Sequence, residues 1–369
     1  MKIGPVPLVP PFALAPMAGM TDTAFRRLVK AQGGCGLVVT EMVSAEGLVR
    51  GIDRTLEYAE YTEAERPVSI QIFGGDPGKM AAAAQVVEGM GADIVDVNMG
   101  CPVPKIARHS AGCSLMREPA QAASIVRAMT AAVRIPVTVK MRAGWDERQI
   151  NAPTLARMMQ DAGASAVAVH GRTAAQSYTG AADWDLVARV AEAVSIPVLG
   201  SGDCVEADQA VERLARGVGG VLVGRGALRN PWIFAQAADL IAGRPARAVT
   251  RADRGRFLLD YVDLLLRERV GEAEGFRHLA PGSQPDPPAT GRERWVINKL
   301  RALNAWYTKG LENGSRLRVA INAAESIPQL RDLISAFFFG PVDAGAQTNH
   351  SSSLRISSAG AFSSSAVIS

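Results

Sequence analysis

The stretch DIVDVNMG, residues 93–100, is a short apolar run rich in β-branched residues that stops at a glycine. Runs of this kind are typical of strands buried inside a sheet. Alanine-rich segments with helical spacing separate the later runs. The eight runs are FALAPMAG (12–19), GLVVTEMV (36–43), VSIQIFGG (68–75), DIVDVNMG (93–100), PVTVKMRAG (136–144), AVAVHGRT (166–173), IPVLGSGD (196–203) and GVLVGRGAL (220–228).

Eight strands alternating with helices predict an α/β fold of the (β/α)8 type, the TIM barrel, over residues 1–245. The competing architecture is a doubly wound open sheet, which uses fewer strands and generally carries a GxGxxG motif after the first. No such motif follows residues 12–19. The barrel is therefore the expected fold.

Residues 246–340 have a different pattern. Helical spacing of apolar residues over 251–269, 293–308 and 316–338 predicts a small all-α domain after the barrel. A Pro- and Gly-rich loop at 278–291 interrupts it, and the serine-rich residues 341–369 are predicted to be disordered. Residues 244–340 contain 16 Lys or Arg and 11 Asp or Glu. This excess fits either a solvated helical surface or a surface for a polyanion.

The bulk composition excludes several classes of protein. The chain has 369 residues, a net charge of +4 and 48% hydrophobic residues, which is ordinary for a soluble globular protein. Its four cysteines have neither metal-ligand nor CxxC spacing, so we expect reduced thiols and no metal. No apolar run has the length of a membrane span, and the N-terminus lacks a signal-peptide core. We expect a cytoplasmic protein without a membrane partner.

Polar or glycine-rich segments follow all eight predicted strands. In a TIM barrel the active site lies at these carboxyl ends, and charged groups buried there without a function would be costly. The candidates, strand by strand, are Pro16, Met17 and Ala18; Glu41; Gln71; Asn98 and Cys101; Lys140 and Arg142; His170 and Arg172; Ser201, Gly202 and Asp203; Gly224 and Arg225.

The glycines after the last two strands indicate a phosphate site, because they let backbone N–H groups approach an anion. Lys140 has three interpretations: a Schiff-base nucleophile, a group that stabilises a reduced flavin, or the partner of a core carboxylate. Gln71 favours the flavin, because a fixed amide can bond the pyrimidine edge of the ring. For Glu41 and His170, structural and functional roles both stay open.

Several motifs together resemble the tRNA-dihydrouridine synthases, most closely the bacterial B-type branch, over about residues 4–340. The motifs are APMAGMTD (15–22), NMGCP (98–102), AGCSLM (111–116), VKMRAGW (139–145), HGRT (170–173), VGRGAL (223–228) and ALNAWYTKG (302–310). The resemblance implies an FMN-dependent enzyme, driven by NADPH, that reduces the C5–C6 double bond of a uridine in the D-loop of tRNA. We expect the protein to be a monomer when free.

The resemblance also implies roles for single residues. Cys101 is the expected acid that protonates C5, since a thiol with a pKa of about 8.5 is largely protonated at neutral pH. The expected FMN contacts are Pro16, Met17, Ala18, Gln71, Lys140, His170, Ser201, Gly202, Asp203, Gly224 and Arg225. The expected substrate contacts are Asn98, Lys105, Arg142, Arg172, Arg294, Lys299 and Arg301. Further candidates for phosphate contacts are Arg292, Lys309, Arg316 and Arg318.

Two positions depart from the family pattern. Ser201 stands where asparagine is usual, and Ala174 where arginine is often found. A serine reaches less far toward a flavin, and alanine removes a charge near the mouth. Two rival functions remain at this point: a flavin barrel of the dihydroorotate-dehydrogenase type acting on free pyrimidines, and an RNA-binding protein without catalytic activity.

Overall fold

The computed structural model describes residues 1–51, 53–107, 110–283 and 291–340. Eight parallel strands form a closed barrel, because the second strand pairs with both the first and the third and the first pairs with the eighth. The strands are β1 Phe12–Leu14, β2 Leu37–Val39, β3 Val68–Phe73, β4 Ile94–Met99, β5 Val137–Arg142, β6 Ala166–His170, β7 Val198–Ser201 and β8 Gly220–Val223. The predicted TIM barrel is confirmed.

The strands alternate with helices that surround the barrel. They are α1 Thr23–Gln32, α2 Ala45–Arg50, α3 Asp53–Ala59, α4 Pro77–Gly89, α5 Pro104–Ala107, α6 Pro119–Ala132, α7 Ala152–Asp161, α8 Trp184–Ala193, α9 Ala207–Leu214, α10 Arg225–Arg229 and α11 Ile233–Ile241. Several helices begin at an Asp that caps the first turn: Asp22, Asp76 and Asp183 each accept a backbone hydrogen bond there.

Two apolar layers hold the barrel together. One lies between the strands and the helices, and the other fills the barrel interior with side chains such as Ala13, Ile94 and Leu199. A short N-terminal hairpin, Lys2–Ile3 paired with Val6–Pro7, adds Ile3 and Leu8 to the inner cluster. The end of the barrel opposite the strands' carboxyl ends is thereby closed, which leaves one mouth for a ligand.

Four further helices follow the barrel: α12 Arg251–Arg267, α13 Arg292–Tyr307, α14 Gly314–Ala323 and α15 Ile327–Phe339. Helix α12 packs against α1, where Phe25 contacts the rings of Phe257 and Tyr261 at 6.2 Å. Tyr307 joins the same aromatic cluster at 6.3 Å from Phe257 and 6.2 Å from Tyr261. The C-terminal helices are thus seated on the barrel through a buried interface.

Two sequence predictions fall partly or wholly beyond the described part of the chain. The tail, 341–369, lies outside it, and so do residues 284–290 of the loop predicted at 278–291. A short strand, Arg277–His278, ends at the first residue of that loop and pairs antiparallel with Tyr61–Thr62 beside the barrel. This pairing gives the C-terminal region a second connection to the barrel.

Candidate active site

The register of the barrel brings the predicted site residues side by side. Asn98 lies opposite Lys140, and Arg142 lies opposite His170. Residues two apart in a strand share a face, so Asp96 and Asn98 of β4 both point into the barrel. Lys140 and Arg142 of β5 do the same. The residue between each pair, Val97 or Met141, is fully buried. The alternation of the sequence therefore fixes which side chains reach the mouth.

These strand ends enclose a cavity of about 630 Å³. It contains the predicted acid and most of the predicted cofactor residues. Its lining consists of Pro16, Met17, Ala18, Met20, Met42, Gln71, Asn98, Gly100, Cys101, Pro102, Val103, Lys140, Arg142, His170, Ser177, Tyr178, Arg225 and Trp306. A concave, partly apolar site with a few converging polar groups is typical of a small-molecule or cofactor site.

A chain of hydrogen bonds crosses the cavity floor. Thr138 Oγ1 donates to Asp96 Oδ1 at 2.6 Å, and Gln71 Nε2 donates to Asp96 Oδ2 at 2.7 Å. Asn98 Nδ2 donates to Gln71 Oε1 at 2.7 Å. Asn98 Oδ1 in turn accepts the N–H of Cys101 at 2.9 Å. Because Asp96 and a backbone N–H stand at its two ends, both amides have a fixed orientation.

Cys101 lies in the loop after β4 and is half-buried. Asn98 holds its N–H, and Arg142 Nε donates to the carbonyl of Gly100 at 2.8 Å. Burial raises the pKa of the Cys101 thiol above its ordinary value, and this outweighs the backbone hydrogen bond at Val103 and the charges of Arg142 and Lys140. The thiol is therefore protonated at neutral pH, as a proton donor must be.

Four cations surround His170. Burial, followed by the charges of Lys140, Arg142, Arg172 and Arg225, lowers the pKa of His170 to about 2. The imidazole is therefore neutral and contributes hydrogen bonds instead of charge. Its buried Nε2 has no partner among the described residues. Such a cluster of cations beside an unpaired polar atom fits an anionic ligand.

Lys140 is half-buried at the mouth, whereas Arg142 and Arg172 are buried. Burial and the neighbouring charge of Arg142 lower the pKa of the Lys140 ammonium to about 8, and Asp96 and Cys101 oppose this shift. The lysine therefore keeps most of its charge near pH 7 but can lose its proton just above neutrality. It lines both the large cavity and a smaller one beside it.

The smaller cavity, of about 110 Å³, lies at the ends of β7 and β8. Ser201, Gly202, Asp203, Gly224 and Arg225 line it, as the sequence predicted for a phosphate site. Gly202 has φ +126°, and a Cβ there would lie 2.5 Å from that of Ala182. Only glycine fits, so the backbone stays open toward the cavity.

Asp203 is held in an unusual backbone conformation at φ +53°. Its carboxylate accepts from Arg172 Nη2 at 2.7 and 2.8 Å and from the N–H of Ala182 at 2.7 Å. Burial works to raise the pKa of Asp203, but these hydrogen bonds and the charge of Arg172 leave it lowered. Arg172 itself lines neither cavity. It supports the smaller one by holding the carboxylate of Asp203.

Gly19, in the loop after β1, is bound from two sides. Its N–H donates to Glu41 Oε2 at 2.6 Å, and its carbonyl accepts from Lys299 Nζ at 2.6 Å. Lys299 also pairs with Asp22 at 2.8 Å, and both side chains are nearly buried. Glu41 and Lys299 therefore hold the loop that carries Met17 and Ala18 against the cavity.

The other predicted substrate residues lie away from the cavity. Lys105 is exposed on the short helix α5. Arg294 and Arg301 line a separate cavity of about 610 Å³ at the beginning of α13. Among the seven basic candidates, Arg294, Lys309 and Arg316 are exposed. The others bond within the protein: Arg292 to Glu268, Lys299 to Asp22, Arg301 to the Ala324 carbonyl and Arg318 to Thr308.

Sequence reasoning missed several residues of the site. Met20, Met42, Tyr178 and Trp306 line the large cavity. The guanidinium of Arg225 lies 4.4 Å from the centre of the Tyr178 ring. Tyr178 follows the sixth strand in the segment AQSYTG. Its position beyond a strand end is the feature of the sequence that could have indicated a place in the site. Asp96, inside a strand, gave no signal of this kind.

The donor set fits a phosphorylated flavin. The cations and the neutral, unpartnered His170 suit an anionic ligand, and the small cavity is shaped by glycine where a phosphate would enter. No cluster of three or more potential metal ligands occurs among the residues that the structure describes. No helix in the described ranges is long and apolar enough to cross a membrane.

The family model for dihydrouridine synthase (Dus) matches residues 13–282. The chain belongs to the dihydrouridine synthase family. A probable tRNA-dihydrouridine synthase of Rickettsia conorii is 36% identical over 341 residues, covering 92% of this chain and 96% of that protein. The tRNA-dihydrouridine synthase B of Xanthomonas axonopodis pv. citri is 42% identical over 311 residues, covering 83% and 93%. The resemblance seen in the motifs is confirmed.

Among solved structures, that of TcOYE with pHBA is similar to this dihydrouridine synthase family member in fold. The TM-score is 0.50 at 10% identity, and the match covers 69% of this chain and 94% of that one. A likeness at this identity supports the barrel architecture alone. Activity has to be argued from the site.

Proposed function

We propose that this protein reduces a uridine in the D-loop of tRNA to 5,6-dihydrouridine, with FMN as cofactor and NADPH as electron donor. The observation that carries the proposal is one cavity that brings together the protonated thiol of Cys101, the neutral His170 and the cations Lys140, Arg142 and Arg225. Membership of the family supplies the substrate class. Bound FMN would supply the hydride.

The proposed FMN site has two parts. Ser201, Gly202, Gly224 and Arg225 would hold the phosphate in the small cavity, with Asp203 shaping its wall. Met17, Ala18, Gln71, Lys140 and His170, with Pro16, would contact the ring in the large cavity. Gln71 uses one N–H for Asp96 and one lone pair of Oε1 for Asn98, so it keeps a second N–H and a second lone pair to offer the ring. Lys140 would stabilise negative charge on the reduced ring.

Cys101 would protonate C5 of the uridine. Its raised pKa keeps the proton on sulfur until it is needed, and Asn98 and Arg142 fix the loop that presents it. Asn98 therefore acts on the acid's backbone in addition to any contact with the uracil edge. Nε and Nη1 of Arg142 donate to the carbonyls of Gly100, Thr173 and Ser177 and so shape the mouth, while Nη2 makes none of these bonds and is the atom proposed to contact the substrate.

The helical region, residues 246–340, is proposed to bind tRNA, and residues 1–245 to form the catalytic domain. The exposed cations Arg294, Lys309 and Arg316 are the best placed for phosphate contacts. Removing one such charge is expected to weaken tRNA binding and to reduce the slope of log affinity against log salt by about one. An unchanged slope in all three variants would place the RNA surface elsewhere. We further propose a cytoplasmic monomer.

The decisive experiment has two parts. Purified protein is expected to be yellow and to form dihydrouridine in unmodified tRNA when NADPH is supplied. Mapping of dihydrouridine in tRNA from a strain that lacks the protein is expected to reveal one missing position. Turnover of dihydroorotate or of free uracil compounds, without turnover of tRNA, would favour the dihydroorotate-type alternative. Protein without flavin that binds RNA would favour a non-catalytic role.

The replacement Cys101→Ala separates the two halves of the proposed reaction. NADPH should still bleach the flavin, because this step does not need the thiol, whereas dihydrouridine formation should fall steeply. Normal product formation by the variant would show that another group supplies the proton. Cys113→Ala is a matched control. Cys113 is buried, and its N–H donates to the Cys101 carbonyl, so it lies next to Cys101.

A further inference from the structure

One aromatic residue of the C-terminal helices lines the active-site cavity. Trp306, near the end of α13, is half-buried and borders the same space as Cys101, Met20 and Met42. It is the only residue beyond α11, within the described ranges, that contributes to this lining. Neither the FMN contacts nor the proposed acid role uses it.

The position of Trp306 is set by its neighbours. Lys299 lies seven residues earlier in α13, on the same face of the helix, and donates to the Gly19 carbonyl beside the cavity. The next residue, Tyr307, is 5% exposed and packs into the aromatic cluster with Phe257 and Tyr261. The helix cannot rotate about its axis without breaking these contacts, so the indole stays at the cavity.

We propose that Trp306 packs against the uracil of the uridine that enters the cavity from the RNA, and so makes the helical region part of the catalytic pocket. The inference rests on the proposed function and adds a substrate contact to it. A uridine in a folded RNA must leave its stack to reach the cavity, which costs unstacking energy. An indole can replace part of the lost stacking, because every base has a π-face.

The surrounding residues suit a neutral heterocycle. Met20 and Met42 add flexible apolar surface to the same cavity, and Met42 Sδ lies 3.6 Å from Asn98 Nδ2. The cations cluster around His170. A planar, uncharged base would therefore find apolar surface from Trp306 and these methionines, and hydrogen-bonding groups on the floor of Gln71 and Asn98.

The test is a cycle that combines a protein change with an RNA change. In the Cys101→Ala background and without NADPH, so that no turnover takes place, Trp306→Ala and Trp306→Phe are compared with Trp295→Ala. Trp295 lies on the same helix but is 42% exposed and outside the cavity. Each protein is titrated with unmodified tRNA and with tRNAs in which one D-loop uridine at a time is replaced by an abasic ribose.

The expected result is that one abasic tRNA binds the parent protein about tenfold or more weakly than intact tRNA. Trp306→Ala should reduce this difference severalfold, to the part that the polar floor contributes, while Trp306→Phe and Trp295→Ala keep most of it. If Trp306→Ala keeps the full difference, or if no abasic tRNA binds the parent more weakly, the proposed contact is wrong. The failure of the function itself looks different: no dihydrouridine would form with the cysteine present, whatever the abasic series shows.

Discussion

Replacing Lys299 with methionine tests whether this residue holds the protein together or binds RNA. The sequence predicts a phosphate ligand, whereas the structure pairs its ammonium with Asp22 at 2.8 Å and with the Gly19 carbonyl at 2.6 Å. The Lys299 and Asp22 side chains are 12% and 14% exposed. Lys299→Met would leave the Asp22 carboxylate nearly buried without its counter-charge.

Breaking a buried pair by removing one partner costs about 3–5 kcal/mol of unfolding free energy. Asp22 keeps hydrogen bonds from Tyr261 OH at 2.7 Å and from the Phe25 N–H at 2.8 Å, so we expect the lower end, about 3 kcal/mol. The measurement is urea unfolding followed by circular dichroism and tryptophan fluorescence. Arg50→Ala, in an exposed pair with Glu46, is the control and should cost about 0.5 kcal/mol or less.

The pH dependence gives a second check on Lys299→Met. In the parent protein burial tends to raise the pKa of Asp22, but Lys299 and Tyr261 leave it below its ordinary value of 3.8. The pair's contribution to stability is therefore present above pH 3.8 and is lost as pH falls through the lowered pKa. Without Lys299, burial is unopposed by that charge and the pKa rises. The stability deficit of the variant should then shrink as acid protonates Asp22.

A different outcome would refute the structural role of Lys299. If Lys299→Met loses less than about 1 kcal/mol of stability while its affinity for tRNA falls with a smaller salt slope, the lysine is a phosphate ligand. The double variant Asp22→Asn/Lys299→Met sharpens the comparison. Its loss of stability should be smaller than the sum of the two single losses, because the two side chains interact directly.

Three further predictions concern the cavity. Asp96→Ala leaves Gln71 Nε2 without an acceptor and frees both amides to rotate, so the steady-state rate of dihydrouridine formation should fall about tenfold or more. Asp96→Asn keeps an acceptor for Gln71, so its rate should stay within a few-fold of the parent rate. Arg172→Met removes the Nη2 that bonds both carboxylate oxygens of Asp203 and should weaken FMN binding about tenfold or more, measured by fluorescence titration. Because the pKa of Lys140 is lowered to about 8 and its charged form is the one proposed to stabilise the reduced ring, single-turnover product formation should fall as the pH rises through about 8, whereas Cys101, whose pKa is raised by burial, should keep its proton there.

Each of these predictions has an outcome that contradicts it. Equal activity of Asp96→Ala and Asp96→Asn would mean that amide orientation is unimportant. Unchanged FMN affinity in Arg172→Met would separate Asp203 from the phosphate site. Product formation that stays flat as the pH rises through about 8 would indicate that the charge of Lys140 is not needed.

The barrel and most of its mouth could be predicted from the sequence because strand periodicity is local information. The runs around Asn98, Lys140 and His170 specify strands, and the rule that sites lie at carboxyl ends of strands then selects their polar residues. Whether Lys299 forms an internal ion pair or faces the RNA could not be predicted in this way. Its partner Asp22 lies 277 residues earlier in the chain, and a lysine in a basic helix has the same local pattern whether it is paired or exposed.

Contacts between distant segments explain the other differences as well. Trp306 has helical spacing that would fit a core residue, and only the packing of α13 on the barrel places it at the cavity. Asp96 reads as an interruption of an apolar strand, and its role depends on Gln71 from one neighbouring strand and Thr138 from the other. Sequence reasoning therefore identified residues by strand and missed the links between strands.

The hydrogen-bond chain on the cavity floor has a consequence for how this site can change in evolution. Each of Asp96, Gln71 and Asn98 must present the atom that its neighbour requires, and the last of them holds Cys101. A single exchange of amide for carboxylate at 71 or 98 would set two acceptors against each other. Change at these positions is therefore expected to need concerted replacements, which would tie the residue proposed to contact the flavin to the loop of the proposed acid.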